Sequence, residues 1–163
     1  MKNLKMICFD MDGTVADLYG VEDWEPMLRN SIVTPYVVAK PMWDMVRLAT
    51  ILNMFRSVLK VEIRVITWLS MNSTEEYKTA VRKAKREWLD EKEFPFDNFH
   101  GIAYGTTKAD CVRRYLAENE SALLIDDSAK VRKGWNLGEV VNPTDTDIVA
   151  YLEQLFEDMV AAG

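Results

Sequence analysis

MICFDMDGTV, residues 6–15, runs from four apolar residues straight into two carboxylates one residue apart. Met6, Ile7, Cys8 and Phe9 form a short apolar run closed by a turn signal at Gly13, the pattern of a buried strand. Asp10 and Asp12 then fall at that strand's carboxyl end, the edge where open α/β sheets place their ligands. A carboxylate there suits nucleophilic attack or cation binding, and its neighbour suits proton transfer. Asp-x-Asp-Gly also opens calcium loops. An EF-hand needs glycine at its sixth position, and counting from Asp10 that position is Val15, so this reading fails.

Outward from this stretch the chain alternates two patterns. Short apolar runs rich in Ile, Val or Leu at 5–9, 61–67, 99–104, 122–125 and 139–141 read as strands buried on both faces. Helical spacing separates them, at 43–59, 74–90, 108–119 and 145–160, with Thr144 or Asp145 as the expected cap of the last helix. Alternation of this kind predicts an α/β fold: a Rossmann-like three-layer sandwich around a central parallel sheet of about five strands. Residues 1–163 read as a single domain. The exception to the alternation is 17–41, which holds Gly20, Pro26, Pro35 and Pro41 and a short helical piece near Trp24. It is too long for an ordinary strand-to-helix loop and is expected to form a small cap over the carboxyl end of strand one.

Composition narrows the function classes. Hydrophobic residues make up 48% and charged residues 28%, which argues against disorder. A net charge of −6 argues against nucleic acid and anionic membranes as partners. No apolar stretch reaches the roughly 18 residues of a membrane span, and no cleavable leader pattern is visible. The only cysteines are Cys8 and Cys111, and Cys8 falls in the first strand, so a reducing, cytoplasmic setting is expected.

Three more polar positions follow apolar runs in the manner of Asp10. Thr67 ends VEIRVIT, Lys108 opens a helix in GTTKADCV, and Asp126 and Asp127 end ALLIDD. In a parallel sheet these ends share one edge, so the set converges on one pocket. The ordered set, DMDGT at 10–14 with Thr67, Lys108 and the pair 126–127, resembles the haloacid dehalogenase superfamily, most of whose members are phosphatases. A closer similarity, through YKTAVRKAKREWLDEKEFP and LLIDDS, is to its 5'(3')-deoxyribonucleotidase branch.

The resemblance implies a Mg²⁺-dependent phosphomonoester hydrolase. In it Asp10 is the nucleophile that forms an aspartyl phosphate, and Asp12 is the general acid and base. Thr67 and Lys108 hold phosphoryl oxygens. The metal takes Asp10, the Asp12 backbone carbonyl and Asp126, with Asp127 as second choice. The substrate is a small phosphorylated molecule, a nucleoside or deoxynucleoside monophosphate first, a sugar phosphate or nucleic-acid end otherwise. A non-catalytic phosphate-binding relative is the alternative from another class. Lys85 is a further phosphate contact on the branch similarity, whereas its basic run (Arg82, Lys83, Lys85, Arg86) reads by itself as a solvated helix face. Trp24 or Trp43 stacks on a base by the same similarity, although tryptophans more often serve a core. His100 reads as structural. A response-regulator receiver is disfavoured because its acid pair comes early and its lone acceptor mid-chain. A nucleotide kinase is disfavoured by the lack of a G-x-x-x-x-G-K-[ST] loop.

Overall fold

The computed structural model describes residues 3–71 and 73–163. In chain order these form β1 (Asn3–Phe9), β2 (Ala16–Asp17), α1 (Trp24–Arg29), α2 (Thr34–Val38), β3 (Lys40–Pro41), α3 (Met45–Val58) and β4 (Glu62–Trp68). Then come α4 (Glu75–Glu91), β5 (Asn98–Ile102), α5 (Lys108–Val112), β6 (Glu120–Ile125), α6 (Ala129–Lys133), β7 (Val140–Val141) and α7 (Ile148–Ala162). Five strands make one parallel sheet in the order β5-β4-β1-β6-β7. β1 lies at its centre, so the acids that follow Phe9 emerge mid-edge with a neighbouring strand on either side.

Alternation along β1 builds the three layers. Ile7 and Phe9 face a core shared with Leu48, Leu52 and Phe55 of α3, Trp88 of α4 and Leu152 and Phe156 of α7. Met6 and Cys8 face the opposite core, with Ala109 and Val112 of α5, Val131 of α6 and Trp135. A strand with both faces covered must be apolar throughout, which is why MICF shows no polar alternation.

Three expectations need correction. The helix expected over 108–119 ends at Val112 and continues only as a 3₁₀ turn, Arg113–Tyr115. Tertiary contacts outweigh helix propensity there. Arg113 bonds Asn136 at 2.9 Å, and the Tyr115 ring lies beneath the Arg64 guanidinium, 4.3 Å from its centroid. The last helix is capped by Asp147, whose carboxylate accepts from the backbone N–H of Val149 and Ala150, rather than by Thr144 or Asp145. Asn142 takes the Thr144 hydroxyl and amide instead, holding that residue in a turn. The strand expected over 99–104 ends at Ile102.

Residues 17–41 hold more structure than one helical piece. β2 and β3 pair antiparallel, Ala16 against Pro41 and Asp17 against Lys40, and close the segment at its base. α1 and α2 lie between them, with Pro35 in the first turn of α2, where its missing N–H is harmless. The segment is pinned from below by Trp88, whose indole N–H donates to the buried Ala39 carbonyl at 2.8 Å, and from the side by Tyr77, whose hydroxyl donates to the Ile32 carbonyl at 2.9 Å.

Trp88→Phe keeps an aromatic ring in the core but leaves the Ala39 carbonyl without its donor. It is expected to lower unfolding free energy by about 1–3 kcal/mol and to speed proteolysis within 17–41. Urea unfolding and timed digestion check this; an unchanged cleavage rate would show that the segment is held by other contacts.

Candidate active site

The carboxyl edge of the sheet brings the scattered polar positions together. Asp10 leaves β1 with its N–H donated to the Ile125 carbonyl at 2.9 Å, which ties it to β6. The chain then doubles back: the Met11 carbonyl accepts from Val15 and Ala16 at 2.9 and 3.0 Å. Gly13 has φ +78°, and a Cβ there would sit 2.5 Å from Asp127 Oδ2 and 2.8 Å from the Tyr19 ring. Glycine is therefore required twice, by the left-handed backbone and by the close approach of Asp127.

Lys108, at the start of α5, is buried, and its Nζ lies 2.9 Å from Asp10 Oδ1 and 2.8 Å from Asp126 Oδ2. The other Asp126 oxygen accepts from the Ser128 N–H at 2.9 Å, and Ser128 in turn caps α6. Thr14 closes the opposite side. Its hydroxyl donates to Asp10 Oδ2 at 3.1 Å, lies 3.4 Å from Asp127 Oδ1 and accepts from the Asp127 N–H at 3.2 Å. Thr67, next to last in β4, is buried, and its Oγ1 accepts from Lys85 at 2.7 Å.

Asp10, Asp12, Thr67, Lys108, Asp126 and Asp127 all line one cavity of about 620 Å³. Lys85 lies just beneath, fully buried, and is no part of a solvated helix face. Trp24 lines the cavity, whereas Trp43 packs half-buried against the core and donates its indole N–H to the Thr14 carbonyl at 2.7 Å. Thr14, Ser128 and the cavity residues Tyr19, Tyr36, Trp68 and Tyr104 were not singled out as site residues. Thr14 has a signal, its place inside DMDGT; Tyr19 and Tyr36 have none, because 17–41 carries no periodicity to aim them. His100 is a partner of Arg64, 3.1 Å away, and does not line the cavity.

Charge at this edge is unbalanced. Burial raises the Asp12 pKa above the ordinary carboxylate value, with Lys85 pulling the other way. Burial and the Asp10 charge raise Asp126, against Lys108. Asp127 is pushed up by burial and by its carboxylate neighbours Asp10 and Asp126. Burial opposes the charge on Lys108, yet Asp10 and Asp126 outweigh it and raise its pKa. Asp10, Asp126 and Asp127 each offer an oxygen within 4.8 Å of the others, a set that can hold a metal ion. Hard carboxylate oxygens select a hard divalent cation.

No protein-family model matches the sequence, and no curated protein matches it. Among solved structures, the chain is similar to one in the Pnkp1/Rnl/Hen1 RNA repair complex, with TM-score 0.56 and 14% identity over 86% of this chain. The chain spans 42% of that protein's length. The likeness is one of fold, an α/β arrangement about a parallel sheet. No helix among the described residues is long and apolar enough to cross a membrane.

Raised carboxylate pKa values make stability depend on pH. The folded protein keeps protons that the unfolded chain, with carboxyls near 4, has released. This stabilisation is complete below the unfolded value and is lost as pH climbs through the folded values, up to about 7 for Asp127. The protein is therefore expected to melt at lower temperature at about pH 8 than at about pH 5 when free of metal, with an added divalent cation restoring more at the higher pH. Asp127→Asn should flatten the fall. A melting temperature that rises across this range, or an Asp127→Asn profile parallel to the wild type, would refute the assignment.

Proposed function

We propose that this protein is a Mg²⁺-dependent phosphomonoester hydrolase of the haloacid dehalogenase type, cytoplasmic, acting on nucleoside or deoxynucleoside monophosphates. One observation carries the reading: Asp10, Thr67, Lys108 and Asp126, from four separate stretches of chain, border one cavity at the carboxyl edge of a parallel sheet. The chemistry these side chains support is phosphoryl transfer to a carboxylate.

An Asp10 oxygen attacks phosphorus while the bond from phosphorus to the leaving oxygen breaks, and Asp12 gives that oxygen its proton. Alcohol departs and aspartyl phosphate remains. Asp12, now a carboxylate, takes a proton from water as the water oxygen bonds phosphorus; the Asp10–phosphorus bond breaks and inorganic phosphate leaves. Lys108 uses two of its three N–H donors on Asp10 and Asp126, which leaves one for a phosphoryl oxygen. The Thr67 hydroxyl supplies a second donor, so charge building on phosphorus is met by groups already in place. The acid triad and the Asp12 backbone carbonyl would hold Mg²⁺, which when bound neutralises the carboxylates and the substrate dianion.

Residues 17–41 serve as a small cap on a single domain, and the aromatic groups around the cavity favour a nucleotide. Tyr19 and Trp24 meet edge to face at 5.0 Å, and Trp68 and Tyr104 tilt together at 5.0 Å. Stacking on such a surface contributes about 1–3 kcal/mol per base. A phosphorylated oligonucleotide is the second substrate to try, because the similar solved structure comes from an RNA repair complex; the net charge of −6 argues against a long polyanion.

The test is phosphate release from a panel of ribo- and deoxynucleoside monophosphates, sugar phosphates and a 5'-phosphorylated oligonucleotide, with Mg²⁺ or with chelator. Deoxynucleoside monophosphates are expected to react fastest, only with Mg²⁺, and Asp10→Asn to lower kcat by about 10³-fold or more. No release from any member, or an Asp10→Asn enzyme as active as the wild type, sinks the proposal.

A further inference from the structure

Lys85 occupies the inward face of α4, fully buried, while Lys83 and Arg86 beside it are exposed. An ammonium group has three N–H donors and accepts nothing. Asp12 Oδ2 takes one at 2.8 Å, Thr67 Oγ1 the second at 2.7 Å and the Trp68 carbonyl the third at 3.1 Å. The Tyr36 ring covers the same nitrogen, 4.9 Å from its centroid. With three protein acceptors in place, a substrate phosphate would have to displace one of them to reach Lys85.

We infer, resting on the phosphatase reading above, that Lys85 is a positioning residue that holds Asp12 for proton transfer and aims the Thr67 hydroxyl at the substrate. Because Lys85 only donates, Asp12 Oδ2 is held as an acceptor, and Oδ1 becomes the oxygen that carries the proton to the leaving group. The same logic applies to Thr67. Its oxygen accepts from Lys85, so its hydrogen must point elsewhere, and Thr67 borders the cavity. One buried ammonium thus sets the orientation of two groups that act on opposite ends of the same phosphoester. Without it the Asp12 carboxylate turns freely about its terminal bond, and small misplacements of a reacting group lower rates steeply.

Leaving-group dependence reads this role directly. p-Nitrophenolate departs without a proton, whereas the alkoxide of a deoxynucleoside monophosphate needs one. kcat/KM is measured on both esters for wild type, Asp12→Asn, Lys85→Met and Lys85→Gln, with thermal melts to confirm folding. Lys85→Met is expected to lose about ten-fold or more in excess on the deoxynucleotide, in the direction of Asp12→Asn. Lys85→Gln, which still donates a hydrogen bond, should recover part of that excess. If Lys85→Met does not fold, Lys85→Gln decides by the same ratio, lying between wild type and Asp12→Asn. Equal losses on both esters, or none, from folded Lys85 variants while Asp12→Asn discriminates overturn the inference and leave the phosphatase reading standing. A wild type inactive on both esters, or an Asp12→Asn enzyme that treats them alike, overturns the reading and the inference together.

Discussion

Lys108 bridges Asp10 and Asp126 at 2.9 and 2.8 Å, and the rest of the sheet edge is arranged around that contact. Two buried carboxylates on adjacent strands repel each other, and an ammonium between them is what lets β1 and β6 end side by side in acid. Such an arrangement is not chosen for stability. Buried ion pairs often contribute less than apolar residues of the same volume would, and removing one partner strands the other. Four carboxylates, Asp10, Asp12, Asp126 and Asp127, share the edge, and among the described residues Lys85 and Lys108 are the cations that pair with their side chains. The surplus negative charge is the physical reason the site suits a cation.

The fold makes that edge rigid. β1 is central, covered by apolar side chains on both faces, and its last residues are fully buried. Asp10 and Asp12 enter a turn in which the Gly13 amide returns to Ala16 and the Thr14, Val15 and Ala16 amides return to Met11. Trp88 and Tyr77 of α4 carry this rigidity into 17–41, so the residues above the acids are attached to the helix that also supplies Lys85. Residues 17–41, Thr67 and the acid pair therefore share one support.

Much of this could be read from the chain because the signals were local. MICF and ALLI each end in acid, and an apolar run of that length, bounded by a turn, leaves few alternatives to a buried parallel strand. The ends of such strands share an edge, so Asp10, Thr67, Lys108 and Asp126 could be gathered without coordinates. Misreadings arose where long-range contacts set the outcome. The helix after Lys108 is cut short by Arg64 and Asn136, which are distant in sequence. Trp43, a base platform only by the branch similarity, packs half-buried against the core with its indole N–H on the Thr14 carbonyl.

Lys85 marks the boundary most clearly. Its neighbours Arg82, Lys83 and Arg86 describe a solvated face, and only the branch similarity sets Lys85 apart from them. Only the approach of α4 to the ends of β1 and β4 turns it toward Asp12 and Thr67. The sequence by itself determined the parallel α/β sheet and which acids meet at its edge, since hydrophobic period and strand ends are local properties of the chain. The tertiary structure alone decided how those acids are paired and which side chains wall the cavity, because hydrogen bonds between residues dozens of positions apart depend on packing that no local pattern encodes.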